Sequence, residues 1–273
     1  MTPFQAGDEV LLHDLRGRRY RLRLAAGQVH SLHSGAISHD ALLGQEEGVV
    51  LTTNRGGRLL AMRLTYAEQV TERRRRAQPI YPKDLGAILL GADLAPGQRV
   101  LETGTGTAAL TIAAWRAISP GGRLISYEAR EDFARLARQA VEETLGEVPE
   151  GLDLRVGRIP DDLTAEDLGA VDRVLLDLPE PWTAVPLVHD ALARGGTVFA
   201  HCPNVSQVQR YADSLRDVRG FGLIEISELL ERHWTVRGRS LRPSHRMVAH
   251  TGFLVFARRV ADGEVFEPER EGF

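Results

Sequence analysis

The stretch VLETGTGTAAL (100–110) runs an apolar segment into a paired-glycine turn and then into helix formers. A strand hands a nucleotide-like cofactor to a helix N-terminus in this way, because unpaired backbone N–H groups and the helix dipole converge on the ligand there. Gly104, Gly106 and Ala109 satisfy the G-x-G-x-x-G/A fingerprint, and Glu128, closing the next apolar run, is placed to accept ribose hydroxyls. Nicotinamide and S-adenosylmethionine chemistry both fit this much.

Working outward, three features favour the second. A dinucleotide fold usually carries its glycine loop on its first strand. Here a short helix and the segment QPIYPKD (78–84) come before it and can fold over the same crevice. Glu102, two residues before the first glycine, is expected to face the carboxyl edge of the sheet, where it suits an ammonium or sulfonium and opposes a pyrophosphate. The fourth strand ends in DLPEPW (177–182), an acid beside a proline-stiffened turn at the edge where doubly wound sheets take their ligands.

Beyond residue 77 the chain alternates helix and strand. Strands are expected at 99–102, 124–128, 152–156, 171–176 and 197–200, with helices at 84–90, 108–117, 131–145, 182–192 and 205–215. Such βαβ repetition gives an α/β fold with a parallel sheet covered on both faces. Two later apolar runs, 223–230 and 252–257, are expected to pair antiparallel at one edge of this mostly parallel sheet. Before residue 65 the pattern is short and β-like: VLLHD, RYRLRL, VVLTT and RLLAMRL are separated by glycine turns. The division expected is a small β domain over 1–65, a helical connection and cofactor lid over 66–98, and a catalytic domain over 99–273.

With 273 residues, 43% of them hydrophobic, the chain can bury a substantial core. One cysteine, Cys202, excludes a disulfide framework. The first residues lack a secretory pattern and no apolar run suffices to span a bilayer, so a soluble, cytoplasmic protein is expected. A net charge of −3 gives no bulk argument for nucleic acid, which leaves local patches. Four arginines at 73–76 form one. The other is ERHWTVRGRSLRPSHR (231–246), with five Arg and two His against one acid, interleaved with Trp234 as a base-stacking surface requires. The only lysine is Lys83, inside QPIYPKD.

At these residues the chain resembles a known family. QPIYPKD, ETGTG, SYEAR, DLPEPW, CPN and RPSHRMVAHTGFLVFARR, in this order and spacing, look like the tRNA (adenine-N1)-methyltransferases that modify adenine 58 of the T-loop. HSGAISHDALLGQEEGVV is similar to that family's small β domain, so the resemblance covers nearly the whole chain. It implies a Rossmann-like class I methyltransferase fold with a seven-stranded, mostly parallel sheet, S-adenosylmethionine as donor, tRNA as acceptor, and a homotetramer. The family usually reads E-x-G-x-G-S-G, whereas Thr107 and Ala108 occupy the last two places here. His201 stands where relatives often carry a tyrosine.

The cofactor is thus expected to meet Glu102, Gly104, Gly106, Thr107, Ala108, Leu110, Glu128 and Asp177. Asp177 and Tyr81 are the expected catalytic residues. Asp177 would stabilise the cationic 1-methyladenine product, and Tyr81 would pack over the sulfonium end. Lys83 and Asp84 would fix the lid, or Asp84 would cap the following helix. Trp182 is expected either to shape the adenine pocket or to sit in the core. His30, His33 and His39 lack metal-ligand companions, so no metal site is expected; His250 is expected to serve a structural hydrogen bond or a tRNA-facing surface. Two other readings stay open: a nicotinamide-dependent oxidoreductase, and a non-catalytic tRNA-binding partner of a methyltransferase, the latter opposed by retention of both Glu128 and Asp177.

Overall fold

The computed structural model describes residues 2–72, 78–159, 161–163 and 171–268. The arginines at 73–76 lie outside the described residues. Contacts divide the chain into two units, Met1–Arg74 and Arg75–Phe273.

In the first unit, β1 (Glu9–Asp14), β2 (Arg19–Arg23), β5 (Val50–Thr52) and β6 (Arg58–Arg63) form an antiparallel sheet of order β2-β1-β6-β5. Val10, Leu12, Leu22, Leu59 and Ala61 are buried with Phe4 as its core, and α1 (Tyr66–Glu72) follows. These four strands are the four apolar runs of the sequence. A fifth and sixth, β3 (Val29–Leu32) and β4 (Gly35–Ser38), pair as a separate hairpin. VHSL and GAIS are too short and polar to announce themselves by pattern.

In the second unit, α2 (Pro82–Gly91) leads into β7 (Arg99–Thr103), α3 (Ala109–Ile118), β8 (Arg123–Glu128), α4 (Glu131–Leu145) and β9 (Leu152–Val156). β10 (Val171–Leu176), α5 (Val185–Ala191), β11 (Leu192–Cys202), α6 (Val205–Val218) and β12 (Phe221–Ser227) follow. The last strands are β13 (Trp234–Arg237), β14 (Ser240–Pro243) and β15 (Phe253–Arg259). α4 shows why the periodicity was readable: Phe133, Ala137, Ala140 and Val141 recur at helical spacing and are buried.

The seven-stranded sheet has the order β12-β15-β11-β10-β7-β8-β9, parallel except for β15. After β7 the chain winds outward through β8 and β9, then returns to lay β10 on the other side of β7. The order therefore reverses between β7 and β10, and the crevice at their carboxyl ends is where such a sheet receives a ligand. The antiparallel pair expected at one edge is present, with β12 outermost and β15 inserted between it and β11. The basic segment linking them is a two-stranded hairpin, β13–β14, an element the sequence pattern does not announce.

Candidate active site

A cavity of about 520 Å³ opens at that crevice, within the range of small-molecule sites. Its walls come from the ends of β7, β8, β9 and β10, from the glycine turn, and from Gln78, Pro79 and Ile80 ahead of α2.

The turn is held from both sides. Gly104 (φ +88°) donates its N–H to the Tyr127 carbonyl at 2.9 Å, and a Cβ on it would stand 2.0 Å from the Asp177 carbonyl oxygen. Only glycine permits both the left-handed backbone and this approach. Gly106 (φ +54°) differs, because a Cβ there would find nothing nearer than 3.9 Å. Its bare Cα faces the open space a ligand would fill, and its N–H donates to Glu128 Oε2 at 2.9 Å. Glu128 also accepts the Arg130 N–H through Oε1 at 3.1 Å, so one carboxylate ties the glycine turn to the start of α4 while lining the cavity. Asp177 lines the opposite wall, its N–H bonded to the Thr103 carbonyl at 3.0 Å and its Oδ1 3.5 Å from His201 Nδ1.

Gly104, Gly106, Thr107, Leu110, Glu128 and Asp177 thus all line one cavity. Three other expected site residues are not among its lining residues. Glu102 is fully buried beneath the turn, where its Oε2 accepts from Ser126 Oγ at 2.6 Å and Ser126 in turn meets Thr105 Oγ1 at 2.6 Å. Burial, opposed by the Ser126 bond, pushes its carboxyl up to about 7. The expected exposure at the sheet edge gives way because the alternation of β7 points this side chain inward toward Ser126. Ala108 is buried too, and it is the left-handed (φ +59°) N-cap of α3 rather than a residue of the helix, which begins at Ala109. A left-handed alanine carries the Cβ cost that a glycine there would avoid. Tyr81 is the N-cap residue of α2, beside Ile80 at the rim.

Asp84 does not cap α2. It lies fully buried in the first turn, where Lys83 Nζ donates to its Oδ1 at 2.7 Å and Thr251 Oγ1 to its Oδ2 at 2.7 Å. Lys83 also donates to Thr251 Oγ1 at 2.6 Å and to the Leu229 carbonyl at 2.8 Å. The start of α2 is thereby fixed to the segments after β12 and before β15. Trp182 packs against the main core with Arg210 over its ring at 5.4 Å and does not line the cavity, so the core reading holds.

His39 accepts the Ala25 N–H through Nδ1 at 3.1 Å, and burial holds it below the ordinary histidine range. His250 bonds Glu228 at 2.6 Å and the Pro203 carbonyl at 2.8 Å; the Glu228 carboxylate raises its pKa and fits a structural role. Burial pushes the Cys202 thiol up to about 12, far from a nucleophile's range. Among the described residues no three His, Cys, Asp or Glu side chains gather as a metal site, and no helix is long and apolar enough to cross a membrane.

Residues 69–242 match the family described as tRNA methyltransferase complex GCD14 subunit, and residues 3–51 match the TrmI-like N-terminal family. The chain belongs to the GCD14/TrmI family. It is 36% identical over 250 residues to the tRNA (adenine(58)-N(1))-methyltransferase TrmI of Thermus thermophilus, spanning 92% of this chain and 96% of that one. Two crystal structures share this GCD14/TrmI architecture. The tRNA (m1A58) methyltransferase TrmI of Aquifex aeolicus superimposes with a TM-score of 0.84 at 28% identity over 95% of this chain and 99% of its own. A SAM-dependent O-methyltransferase of Thermotoga maritima gives 0.89 at 29% identity over 99% and 97%. These matches span nearly the whole chain and favour methyl transfer over the nicotinamide and non-catalytic readings.

Sequence reasoning had missed several lining residues of this GCD14/TrmI cavity. Arg130 and Phe133, stacked at 4.1 Å, and Gly157–Ile159 after β9 belong to it. Their signal was position: each follows a parallel strand at its carboxyl end.

Proposed function

We propose that the chain transfers the methyl group of S-adenosylmethionine to N1 of adenine 58 in the T-loop of tRNA. The observation that carries this reading is the glycine turn closing on Glu128 and Asp177 around one cavity, in a chain similar over most of its length to tRNA (adenine-58 N1)-methyltransferases.

The residues present fit the donor. Glu128 accepts its ribose hydroxyls in charge-assisted bonds, with the Gly106 N–H keeping the carboxylate aimed. Gly106, Thr107 and Leu110 line its bed, and Tyr81 packs toward its methyl end. Glu102 and Ala108 act from beneath by shaping the turn. The donor supplies an electrophilic sulfonium methyl.

Adenine N1 is neutral with an in-plane lone pair, so it attacks without a general base, and the protein's task is positioning and charge. Asp177, on the wall facing Glu128, stabilises the positive charge that develops on the base. The target adenine leaves the tRNA elbow to reach this wall, at a cost of a few kcal/mol. The basic hairpin β13–β14, with Trp234 58% exposed, holds the tRNA. Assembly as a homotetramer and action in the cytoplasm complete the reading, the first resting on the family resemblance and the second on the substrate.

The test is incubation of the purified protein with labelled donor and tRNA transcripts. Label in 1-methyladenine of a transcript with adenine 58, and none when guanine replaces that base, is the expected result. Undiminished labelling of the guanine transcript overturns the site assignment.

A further inference from the structure

Residues 228–251 leave the sheet at the end of β12 and return ahead of β15, carrying the β13–β14 hairpin between them. From 231 to 250 none of the described side chains is buried, so this arm has no core of its own to fix where it points. Its two stems are instead fastened at the root. Glu228 Oε1 and His250 Nδ1 join them at 2.6 Å, and further out the Ser244 N–H donates to the His233 carbonyl at 2.8 Å. Lys83 bonds both stems at once, through the Leu229 carbonyl at 2.8 Å and Thr251 Oγ1 at 2.6 Å.

The third ammonium hydrogen goes to Asp84 Oδ1 at 2.7 Å, and the Thr251 hydroxyl donates on to Asp84 Oδ2 at 2.7 Å. Lys83, Asp84 and Thr251 thus close a ring in which every side-chain hydrogen able to donate is committed, and both charges are buried within it. A buried ion pair satisfied in this way holds one geometry, because any other leaves a charge without a partner. On the helix side the Asp84 and Leu85 N–H groups both bond the Tyr81 carbonyl at 2.9 Å, next to Ile80, Pro79 and Gln78 of the cavity wall. One anchor therefore has the arm on one side and the cavity on the other.

We propose that Lys83 is a positioning residue that couples the two ligands through Asp84 and Thr251. tRNA held on the hairpin restrains the stems, the stems hold the start of α2, and α2 holds the wall that the donor meets. Either ligand thereby orders part of what the other needs, and each should strengthen binding of the other by the same factor. The inference rests on the proposed use of the hairpin for tRNA and of the cavity for the donor.

The experiment is a binding cycle with S-adenosylhomocysteine, the donor without its methyl group, so that no turnover intervenes. Calorimetric titration of the wild-type protein, alone and saturated with a tRNA transcript, should show binding about fivefold or more tighter in the presence of tRNA. Thr251→Val removes the hydroxyl at nearly constant volume and should bring that ratio close to unity, with each ligand alone binding within a few-fold of wild type. Thr251→Ser restores the hydroxyl and should restore the ratio. Lys83→Met combined with Asp84→Leu removes both charges together, leaving neither buried alone, and should also lose the ratio. A merely structural role would lower the melting temperature of these variants and leave the ratio untouched. A wild-type ratio near unity, or a ratio kept in both Thr251→Val and the double variant, overturns the proposal. If tRNA fails to bind, or its affinity ignores the loss of Arg239 and Arg242, the reading beneath falls as well; tRNA held through the hairpin with a ratio near unity removes only the coupling.

Discussion

Gly104 and Asp177 meet backbone to backbone, so closely that a methyl group on the glycine would overlap the aspartate carbonyl. Gly106, two residues on, faces open space. The two glycines should therefore fail differently. Gly104→Ala adds a backbone clash to left-handed strain and should lower folding stability by about 2 kcal/mol or more. Gly106→Ala carries the strain alone, about 1 kcal/mol, while its methyl group enters the cavity. Thermal melts together with calorimetric titration of S-adenosylmethionine separate them: Gly106→Ala should lose more binding than stability. Equal melting losses would mean that the turn relaxes away from β10.

Glu128 accepts two backbone N–H groups and faces the cavity. Glu128→Ala should weaken binding of S-adenosylmethionine by roughly 1.5 to 3 kcal/mol, the scale of a charge-assisted hydrogen bond. Affinity for tRNA, measured by filter binding, should be unchanged. A variant that binds the donor normally would confine Glu128 to tying the turn to α4.

Asp177→Asn keeps the shape of the side chain and removes its charge. Single-turnover methyl transfer should fall about 10²-fold, the scale for one preorganised electrostatic group. Because phosphate contacts dominate tRNA affinity, binding should change little. A near wild-type rate would move the charge-stabilising role to Glu180, which lines the same wall.

Glu102 makes a prediction about pH. Its folded pKa of about 7 lies above the ordinary carboxyl value of 4.5. A raised folded pKa contributes stability in full below the unfolded value and loses it as pH climbs through the folded one. Glu102 should thus cost the fold up to about 3 kcal/mol between pH 4.5 and 7. Urea unfolding at pH 5 and pH 8 should show a smaller decline for Glu102→Gln than for the wild-type protein. Parallel declines would show that the buried carboxyl stays neutral or finds a partner.

The hairpin prediction concerns salt. Replacing Arg239 and Arg242 with alanine should weaken tRNA binding and reduce the slope of log affinity against log salt by roughly 1 to 2, about 0.7 to 0.9 per lost phosphate contact. Donor affinity should not move. An unaltered slope takes the hairpin off the tRNA.

Elements with one buried face were legible before any coordinates. The runs that became β1, β6, β7 and β10, and the apolar stripe of α4, carry their period in the sequence because burial demands it. The β13–β14 hairpin was not, since its apolar residues Val236 and Leu241 are themselves exposed and no alternation separates inside from outside. In the site, the strand-to-helix turn was readable through its glycines. The directions of Glu102 and Trp182 were not, because sheet pleat and local packing decide whether a residue near the crevice faces it. Nor could the chain disclose that Lys83 closes on Thr251, 168 positions away.

That last contact gives the protein an unusual chemical surface. The chain holds one lysine, its side chain is 7% exposed, and its ammonium is spent on Asp84, Thr251 and a carbonyl. Apart from the amino terminus, the folded molecule presents almost nothing to acylating or biotinylating reagents. A single acylation at Lys83 would therefore report the moment at which α2 lets go of the segments after β12 and before β15, a built-in probe for local opening that needs no engineered label.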